Sequence, residues 1–206
     1  MAQTDQSHIN ISPASSRPVS LMTIANPELL KSALIATPIG PVKAIADEHF
    51  LYFLQLDGWR PSRSSQLTSD VLESIVSGYT AIHNNLENEL QHYFKGTLTA
   101  FETPLFLHGT DFQKKVWSKL IEIPYGQTRS YLQIAQALEK PTAFRAVAQA
   151  NGANNLALII PCHRVINHNG NLGGYASGTE HKAWLLAREK QFTMNLIFMR
   201  NTRGHP

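Results

Sequence analysis

The stretch SYLQIAQALEKPTAFRAVAQA, residues 130–150, predicts two short helices with a tight break between them. Ser130 is a good N-cap for a helix over residues 131–138, because its hydroxyl can accept from the free N–H groups of the first turn. The break contains Pro141, which cannot continue a helix that is already under way. Two short helices joined in this way are typical of a helix-turn-helix.

The second of these helices, from Ala143 to about Ala150 with Thr142 as its predicted cap, has mostly small side chains. Alanine lets a helix approach a nucleic-acid groove closely, but it makes no bidentate contact with a base edge. Arg145 is the single charged residue of the helix. We therefore expect DNA binding that is largely independent of sequence. The alternative is that the alanines only pack against other helices, which leaves the lone arginine unexplained.

The segments on either side of this pair are also predicted to be helical. Thr110 and Gln113 have the spacing of a capping box, in front of a helix whose buried face consists of Phe112, Val116, Trp117 and Leu120. A last helix is predicted from about Glu180 to Lys190. The second half of the chain is therefore mostly helical.

The first half of the chain is predicted to be rich in β-structure. Three short apolar segments, over 33–36, 42–46 and 50–56, are separated by turn residues and form an antiparallel meander. Residues 57–69 are polar and are predicted to form a loop. A helix follows, ended by Gly96, with one apolar stripe along it: Ile82, Leu86, Leu90, Tyr93 and Phe94. The fold class is therefore predicted to be α+β.

The predicted organisation has four parts. Residues 1–30 are rich in Ser, Pro, Asn and Gln and form a flexible leader. An N-terminal α/β domain covers residues 31–105, with the boundary in an extended linker that begins at Thr97. A C-terminal domain covers residues 106–192, and residues 193–206 form a tail.

The only cysteine of the chain lies in Pro161-Cys162-His163-Arg164-Val165. The preceding apolar run, residues 156–160, is predicted to be a buried strand. A thiol beside an imidazole at the end of such a strand is a candidate activated nucleophile. The alternative is an inert buried thiol, since free cysteine is among the most buried residue types.

Composition limits the function classes further. The chain has 206 residues, is 43% apolar and carries a formal net charge of +3, which permits nucleic-acid binding without indicating a large basic surface. No apolar run is long enough to span a membrane. A single cysteine forms no internal disulfide, which favours a reducing, cytoplasmic setting. It also builds no cysteine-rich zinc site, so no metal and no cofactor are predicted.

Several motifs together resemble the O6-alkylguanine-DNA alkyltransferases, in their order and spacing, over roughly residues 31–190. They are Tyr125-Gly126-Gln127-Thr128-Arg129-Ser130-Tyr131, Arg145-Ala146-Val147, Asn154, Pro161-Cys162-His163-Arg164-Val165 and Gly173-Gly174-Tyr175. The resemblance implies an RNase-H-like N-terminal domain and a C-terminal domain with a helix-turn-helix that binds the minor groove. It also implies a stand-alone, monomeric protein of the bacterial type.

The activity that the resemblance implies is direct reversal of DNA damage. Such proteins flip the damaged nucleotide out of duplex DNA and transfer the alkyl group from O6 of guanine, or more slowly from O4 of thymine, to their own cysteine. The transfer is irreversible, so each molecule acts once. By resemblance Cys162 is the nucleophile, His163 is the base acting through a water, Glu189 orients that histidine, and Asn154 braces the active-site loop.

The remaining implied roles concern the base and the DNA. Tyr131 helps to rotate the nucleotide out and Arg145 fills the vacated space, while Tyr175 binds the O6 oxygen. The guanine amino group is bound by backbone carbonyls, one of them that of Val165. The pocket lip is formed by Ala176 and Ser177, and the other DNA contacts are Ala146, Gln149 and Asn151. Ser177 stands where many relatives have glycine, so small alkyl groups are expected to be preferred.

Three other functions are weighed against this one. A sensor that flips the alkylated base without repairing it resembles the alkyltransferase-like proteins, which lack the cysteine that this chain has at residue 162. A two-domain transcriptional regulator would need a cysteine-rich zinc domain. A cysteine hydrolase that uses Cys162 and His163 would turn over an ester or a peptide.

Overall fold

The computed structural model describes residues 27–56, 73 and 75–202. The chain is packed from a point before the predicted domain start, because Pro27–Leu29 forms a 3-10 helix and Leu30 is only 2% exposed. Leu30 packs with Ile45 and Phe53 in a small apolar cluster on one side of the sheet. The rest of the predicted leader, residues 1–26, and the predicted loop over 57–69 lie outside the described residues.

The predicted antiparallel meander is confirmed. Strands β1 (Lys31–Ile35), β2 (Val42–Ala46) and β3 (Leu51–Leu56) form a sheet in the order β1-β2-β3. Register is set by the pairs of Ile35 with Val42 and of Val42 with Leu56, with an irregularity after Ile45. The strand β3 also pairs at single positions with residues outside the sheet, at Leu105 and at Leu156. These bridges connect the sheet to the C-terminal half of the chain.

The predicted amphipathic helix is helix α1 (Ala81–Lys95), and it ends as the sequence indicates. Gly96 adopts the left-handed conformation, with φ of 74°, in which a glycine closes a helix without steric cost. The predicted apolar stripe is buried along its length: Ile82, Leu86, Leu90, Tyr93 and Phe94. The stripe joins the main hydrophobic core, which also contains residues of the sheet and of the C-terminal helices.

Three shorter helices follow, two with the predicted caps. In helix α2 (Asp111–Ile121) the N–H of Gln113 donates to the hydroxyl of Thr110 at 3.2 Å, and in helix α3 (Tyr131–Ala137) Ser130 accepts from Gln133 at 3.1 Å. The predicted capping role of Thr142 is wrong. Residues Pro141–Ala143 form a 3-10 turn, so helix α4 (Phe144–Gly152) begins later and has no side-chain cap.

The apolar run 156–160 is buried as expected, but it is not a strand. Only Leu156 pairs with β3, and the chain then turns tightly, with Leu158 at a φ of 70°. The N–H of Ile160 donates to the carbonyl of Leu156 at 2.9 Å, so the backbone is satisfied by turn hydrogen bonds rather than by a ladder. A short apolar run indicates burial, and the backbone conformation is decided by its neighbours.

The reactive motif follows this buried turn. Residues Cys162–Arg164 form one 3-10 turn, and Val165–Ile166 (β5) pairs in parallel with Arg129–Ser130 (β4), just before α3. The last helix, α5 (Thr179–Thr202), continues well beyond the predicted end at Lys190. Within the described part of the chain, none of the helices combines the length and apolar character that crossing a membrane requires.

Candidate active site

A cavity of about 780 Å³ gives access to Cys162. It lies between helix α4, the start of α3 and the loop before α5, and one residue of β3 also reaches it. Its walls bring together several residues that are far apart in sequence, among them Gln55, Tyr131, Phe144, Arg145, Gln149, Asn151, Asn154, Cys162, Gly173, Gly174, Tyr175 and Ala176. Cys162 is only 5% exposed, so a reactant reaches the thiol only by entering this cavity.

Asn154 holds the thiol in place. Its side-chain amide donates to Cys162 Sγ at 3.1 Å and to the carbonyl of Ile160 at 2.9 Å, while its side-chain oxygen accepts from the N–H of Leu156. The backbone carbonyl of Asn154 accepts from Gln55 Nε2 at 2.6 Å. The thiol is therefore fixed by a loop that is itself anchored to strand β3.

The thiol of the free protein is predominantly protonated near neutral pH. Burial raises the pKa of Cys162, and the hydrogen bond from Asn154 and the charge of Lys182 only partly offset this effect. A protonated thiol is a poor nucleophile, because the thiolate is the reactive species. The site therefore needs a base that removes the proton during the reaction.

His163 has the protonation state that a base requires. Its Nε2 lies 2.8 Å from Glu189 Oε1, and both side chains are buried. Burial lowers the pKa of His163, against the raising effect of the Glu189 carboxylate, so the imidazole is neutral. With its proton on Nε2 facing the carboxylate, the ring has a free lone pair on Nδ1. That Nδ1 atom is buried and has no hydrogen-bond partner among the described residues.

Glu189 is the centre of a larger buried network. Its carboxylate accepts from the Tyr93 hydroxyl at 2.7 Å, from the N–H of Gly126 at 3.0 Å and from the Arg164 guanidinium at 2.9 Å. Burial alone would raise the pKa of Glu189, but His163 and Arg164 outweigh it and hold that pKa well below its usual range. The carboxylate is thus a fixed negative charge directed at the imidazole.

Lys182 is a further buried charge near the thiol. The side chain is fully buried on helix α5, and its Nζ donates to the carbonyl of Val165 at 2.6 Å and to that of Gly174 at 3.3 Å. Burial lowers the pKa of Lys182 to about 8, although a Cys162 thiolate would raise it. The ammonium group therefore ties two active-site loops together and favours the thiolate form of Cys162.

Two tyrosines, Tyr131 and Tyr175, line the cavity near the Cys162 thiol. Burial, and the proximity of Cys162, raise the pKa of both Tyr131 and Tyr175, so both hydroxyls are neutral donors. The hydroxyl of Tyr175 is buried close to the Cys162 thiol and has no nitrogen or oxygen partner among the described residues. The ring of Tyr131 lies beneath Lys182, whose Nζ is 6.0 Å from the ring centroid.

Of the residues predicted to contact DNA, the structure places Arg145 and Gln149 at the cavity and exposed on α4, whereas Ala146 is exposed but outside the lining. Asn151 is only 5% exposed, and its amide donates to the carbonyl of Cys162 at 3.3 Å. Its side chain is directed at the reactive turn, and the residue also lines the cavity.

Two residues predicted to bind the base lie outside the cavity lining. The Val165 carbonyl is occupied by Lys182 in this structure, and Ser177 is buried, 8% exposed, with a hydroxyl that has no partner among the described residues. Ala176, in contrast, lines the cavity as expected.

Sequence reasoning missed four residues that hold the site: Gln55, Tyr93, Arg164 and Lys182. Tyr93 was assigned to the core stripe of its helix, and its hydroxyl was the one sign that this stripe position needed a polar partner. Arg164 lies within the quoted motif, but its partner Glu189 is 25 residues further along the chain. Gln55 and Lys182 have no local signal, since their partners come from other parts of the chain.

A second cavity, of about 700 Å³, lies on the other side of the reactive turn and is mostly apolar. It is bordered by the segment 99–107 and by Pro161 and Arg164, and Cys162 is not part of its lining.

Within the described residues, no three His, Cys, Asp or Glu side chains lie close enough together to hold a metal ion.

Comparison with known proteins gives a consistent result. Residues 111–191 match the model of the 6-O-methylguanine DNA methyltransferase DNA-binding domain. A methylated-DNA–protein-cysteine methyltransferase of Methanosarcina barkeri is 42% identical over 76% of this chain and 95% of its own length. One of Mycobacterium bovis is 43% identical over 76% of this chain and 90% of its own length.

Solved structures agree with these relatives. The Mycobacterium tuberculosis O6-methylguanine methyltransferase, and M. tuberculosis OGT in complex with DNA, each superpose with a TM-score of 0.69 at 38% identity. In both cases the match covers 79% of this chain and 93% of the other. The similarity therefore extends over nearly the whole length of these proteins.

Proposed function

The chain belongs to the family of methylated-DNA–protein-cysteine methyltransferases, and we propose that it repairs DNA by transferring an alkyl group from O6 of guanine, and less well from O4 of thymine, to Cys162. One observation carries the assignment of the site. The only cysteine of the chain is held by Asn154 inside a cavity that the Arg145-bearing helix also lines, next to the buried pair of His163 and Glu189.

The reaction balances without a cofactor. Cys162 Sγ attacks the carbon bound to O6, the S–C bond forms, and the C–O6 bond breaks with its electron pair going to the purine. The thiol proton ends on the purine ring nitrogen, which restores guanine. Because the S–C bond of the thioether product is stable and no further reactant regenerates the thiol, each molecule acts once.

Activation of the thiol follows from the charges around it. The Nδ1 lone pair of His163 receives the proton, through a water, while Glu189 holds the ring in the required tautomer and stabilises the imidazolium that forms. Lys182 favours the developing thiolate. The raised pKa of the resting thiol means that the nucleophile is generated only when these groups act together.

The damaged nucleobase is held and protonated by neutral hydrogen-bond donors of the protein. Tyr175 binds O6, because its buried hydroxyl lies close to the Cys162 thiol and has no nitrogen or oxygen partner among the described residues, and the N–H groups of Ala176 and Ser177 stabilise charge on that oxygen. Tyr131 lines the cavity and supplies a proton to the leaving purine, and its hydroxyl is restored by the proton that His163 took from the thiol. The Val165 carbonyl accepts the guanine amino group only if Lys182 Nζ shares that carbonyl or moves from it.

Binding of double-stranded DNA is assigned to the two helices α3 and α4 as a helix-turn-helix in the minor groove, with Gln149 and Ala146 as contacts. Arg145 enters the space that the flipped nucleotide leaves. The sheet and α1 correspond to the RNase-H-like domain of the family. We further propose that the protein acts as a monomer and in the cytoplasm, where its free thiol stays reduced.

The test is intact-protein mass after incubation with a duplex that carries one O6-methylguanine. We expect every active molecule to gain one methyl group in place of one hydrogen, located on Cys162 by peptide mapping, and the DNA to regain guanine. An unmodified duplex and the Cys162→Ala variant are the controls. Tight, lesion-selective binding with no gain in mass would instead identify a non-repairing sensor. A result with neither lesion binding nor a gain in mass would favour a cysteine hydrolase.

A further inference from the structure

Phe144 is an exposed aromatic residue at the mouth of the reactive cavity. Its side chain is 42% exposed, and it lines the same cavity as Cys162 and Tyr131. Single exposed apolar residues are ordinary on protein surfaces, so exposure alone assigns no role. Phe144 differs from the other exposed large apolar residues because it lines the reactive cavity and contacts Arg145, the residue proposed to enter the DNA.

The contact with that residue is direct. The guanidinium carbon of Arg145 lies 5.7 Å from the centroid of the Phe144 ring, within the range of a cation–π interaction. Both residues stand at the start of α4, directly after the turn Pro141–Ala143, in which the N–H of Ala143 donates to the Lys140 carbonyl at 2.8 Å. The ring is therefore presented from a well-defined backbone and not from a long loop.

Flipping a nucleotide breaks its stacking on both neighbours, at a cost of a few kcal/mol in the DNA alone. An arginine in the vacated space restores hydrogen bonding, but it covers little of the exposed face of the flanking base. An aromatic ring beside that arginine has the shape and the π-face to do so, and it stacks on any base irrespective of sequence. Apolar wedges of this kind accompany unstacking in many minor-groove proteins.

We propose that Phe144 is a second DNA-inserting residue, which stacks on a base that flanks the flipped nucleotide and holds Arg145 in position. The inference rests on the proposed function, because it needs a flipped base next to Cys162. It assigns Phe144 a role in extruding the damaged nucleotide and none in the chemistry at sulfur. Its ring should therefore matter only for substrates that start within a duplex.

The experiment compares single-turnover transfer from a duplex that carries O6-methylguanine with transfer from the free base O6-methylguanine. For Phe144→Ala we expect the rate constant with the duplex to fall about 5- to 150-fold, the range that loss of one base–aromatic stack implies. The rate with the free base should stay within about twofold, since that substrate needs no extrusion. Phe144→Leu should be nearly as slow as Phe144→Ala, and Phe144→Trp should recover most of the rate.

Tyr79→Ala is the matched control, because Tyr79 is also an exposed aromatic residue, 51% exposed, and it lines neither cavity described above. Unchanged duplex kinetics in Phe144→Ala, or a wild-type rate in Phe144→Leu, would overturn the inference while leaving the proposed function intact. An equal loss with both substrates would assign Phe144 to the pocket and also overturn it. If the wild-type protein takes no methyl group from the duplex, the proposed function fails and the inference fails with it.

Discussion

Glu189→Gln is the substitution with the largest expected effect on stability. The side chain keeps its size, but the charge is lost from a carboxylate that accepts hydrogen bonds from Tyr93, Gly126, His163 and Arg164. The guanidinium of Arg164 is then a buried cation without its counter-ion, and the new amide places two donors among groups that are themselves donors. Removing one partner of a buried ion pair costs about 3–5 kcal/mol.

For a chain of this size, that loss corresponds to a melting temperature lower by about 6–20 °C. The assay is urea denaturation at neutral pH, with Glu180→Gln as the control on the same helix. Glu180 is exposed in the first turn of that helix, so its substitution should change stability by no more than about 0.5 kcal/mol. A loss below about 1 kcal/mol for Glu189→Gln would refute the network described above.

The pH dependence gives an independent check on the same reasoning. The folded-state pKa of Glu189 is depressed, so its stabilising contribution is fully present above the unfolded pKa of about 4.3 and is lost as the pH falls below it. The difference in unfolding free energy between wild type and Glu189→Gln should therefore be constant from about pH 5 upward and shrink in more acidic solution. A difference that stays constant down to about pH 3 would show that Glu189 is not held ionised by its partners.

Four further predictions concern the thiol, its reaction product, the size of alkyl group accepted and the buried histidines. Lys182→Met removes a charge that favours the thiolate, so the pH profile of Cys162 alkylation by iodoacetamide should move to higher pH; an unmoved profile would mean that the charge does not reach the sulfur. Methylation of Cys162 adds volume to a close-packed site, so the spent protein should be about 1–3 kcal/mol less stable and melt at a lower temperature, whereas an equal melting temperature would show that the site has spare room. Ser177→Gly should raise the rate with O6-benzylguanine in DNA relative to O6-methylguanine, and an unchanged ratio of the two rates would exclude Ser177 as the size limit. Three histidines, His83, His108 and His163, have pKa values lowered mainly by burial, so the unfolded chain binds more protons and stability should fall as the pH drops through about 6.5; a flat stability between about pH 7 and 5 would contradict this.

The elements that the sequence predicted well are those with local causes. The capping boxes at Thr110 and Ser130 and the left-handed Gly96 depend on residues within one helical turn of each other. The three-stranded meander depends on short apolar segments between turns, which is also a local pattern. In each case the physical cause lies within a few residues, so no knowledge of the remaining chain was needed.

The errors have a different origin. The run 156–160 is buried by the sheet and the helices around it, and this enclosure, rather than strand pairing, accounts for its apolar composition. Thr142 has the right residue type for a cap, but the proline before it starts a 3-10 turn, so the helix begins one residue later than such a cap predicts. Both predictions took a residue pattern as sufficient where the packing of neighbouring segments decided the backbone.

The candidate site shows the same division. Cys162, His163 and Asn154 belong to the quoted motifs, and Glu189 was identified from the family resemblance. The structure brings all four together. The groups that hold them come from elsewhere: Gln55 from a strand of the sheet, Tyr93 from α1 and Lys182 from the last helix. Such contacts between distant parts of the chain depend on the completed tertiary structure.

These distant contacts give the N-terminal half a part in the reaction proposed for the C-terminal half. Strand β3 anchors the loop that positions the thiol, through Gln55 and through the bridge between Leu54 and Leu156. Helix α1 supplies the Tyr93 hydroxyl to the Glu189 carboxylate, which contacts His163. A buried thiol with a raised pKa reacts only if its base and its neighbours are held in place, because each of them must act at the same moment. In the proposed reaction the sheet and α1 therefore act by fixing the geometry of groups that they do not themselves contain.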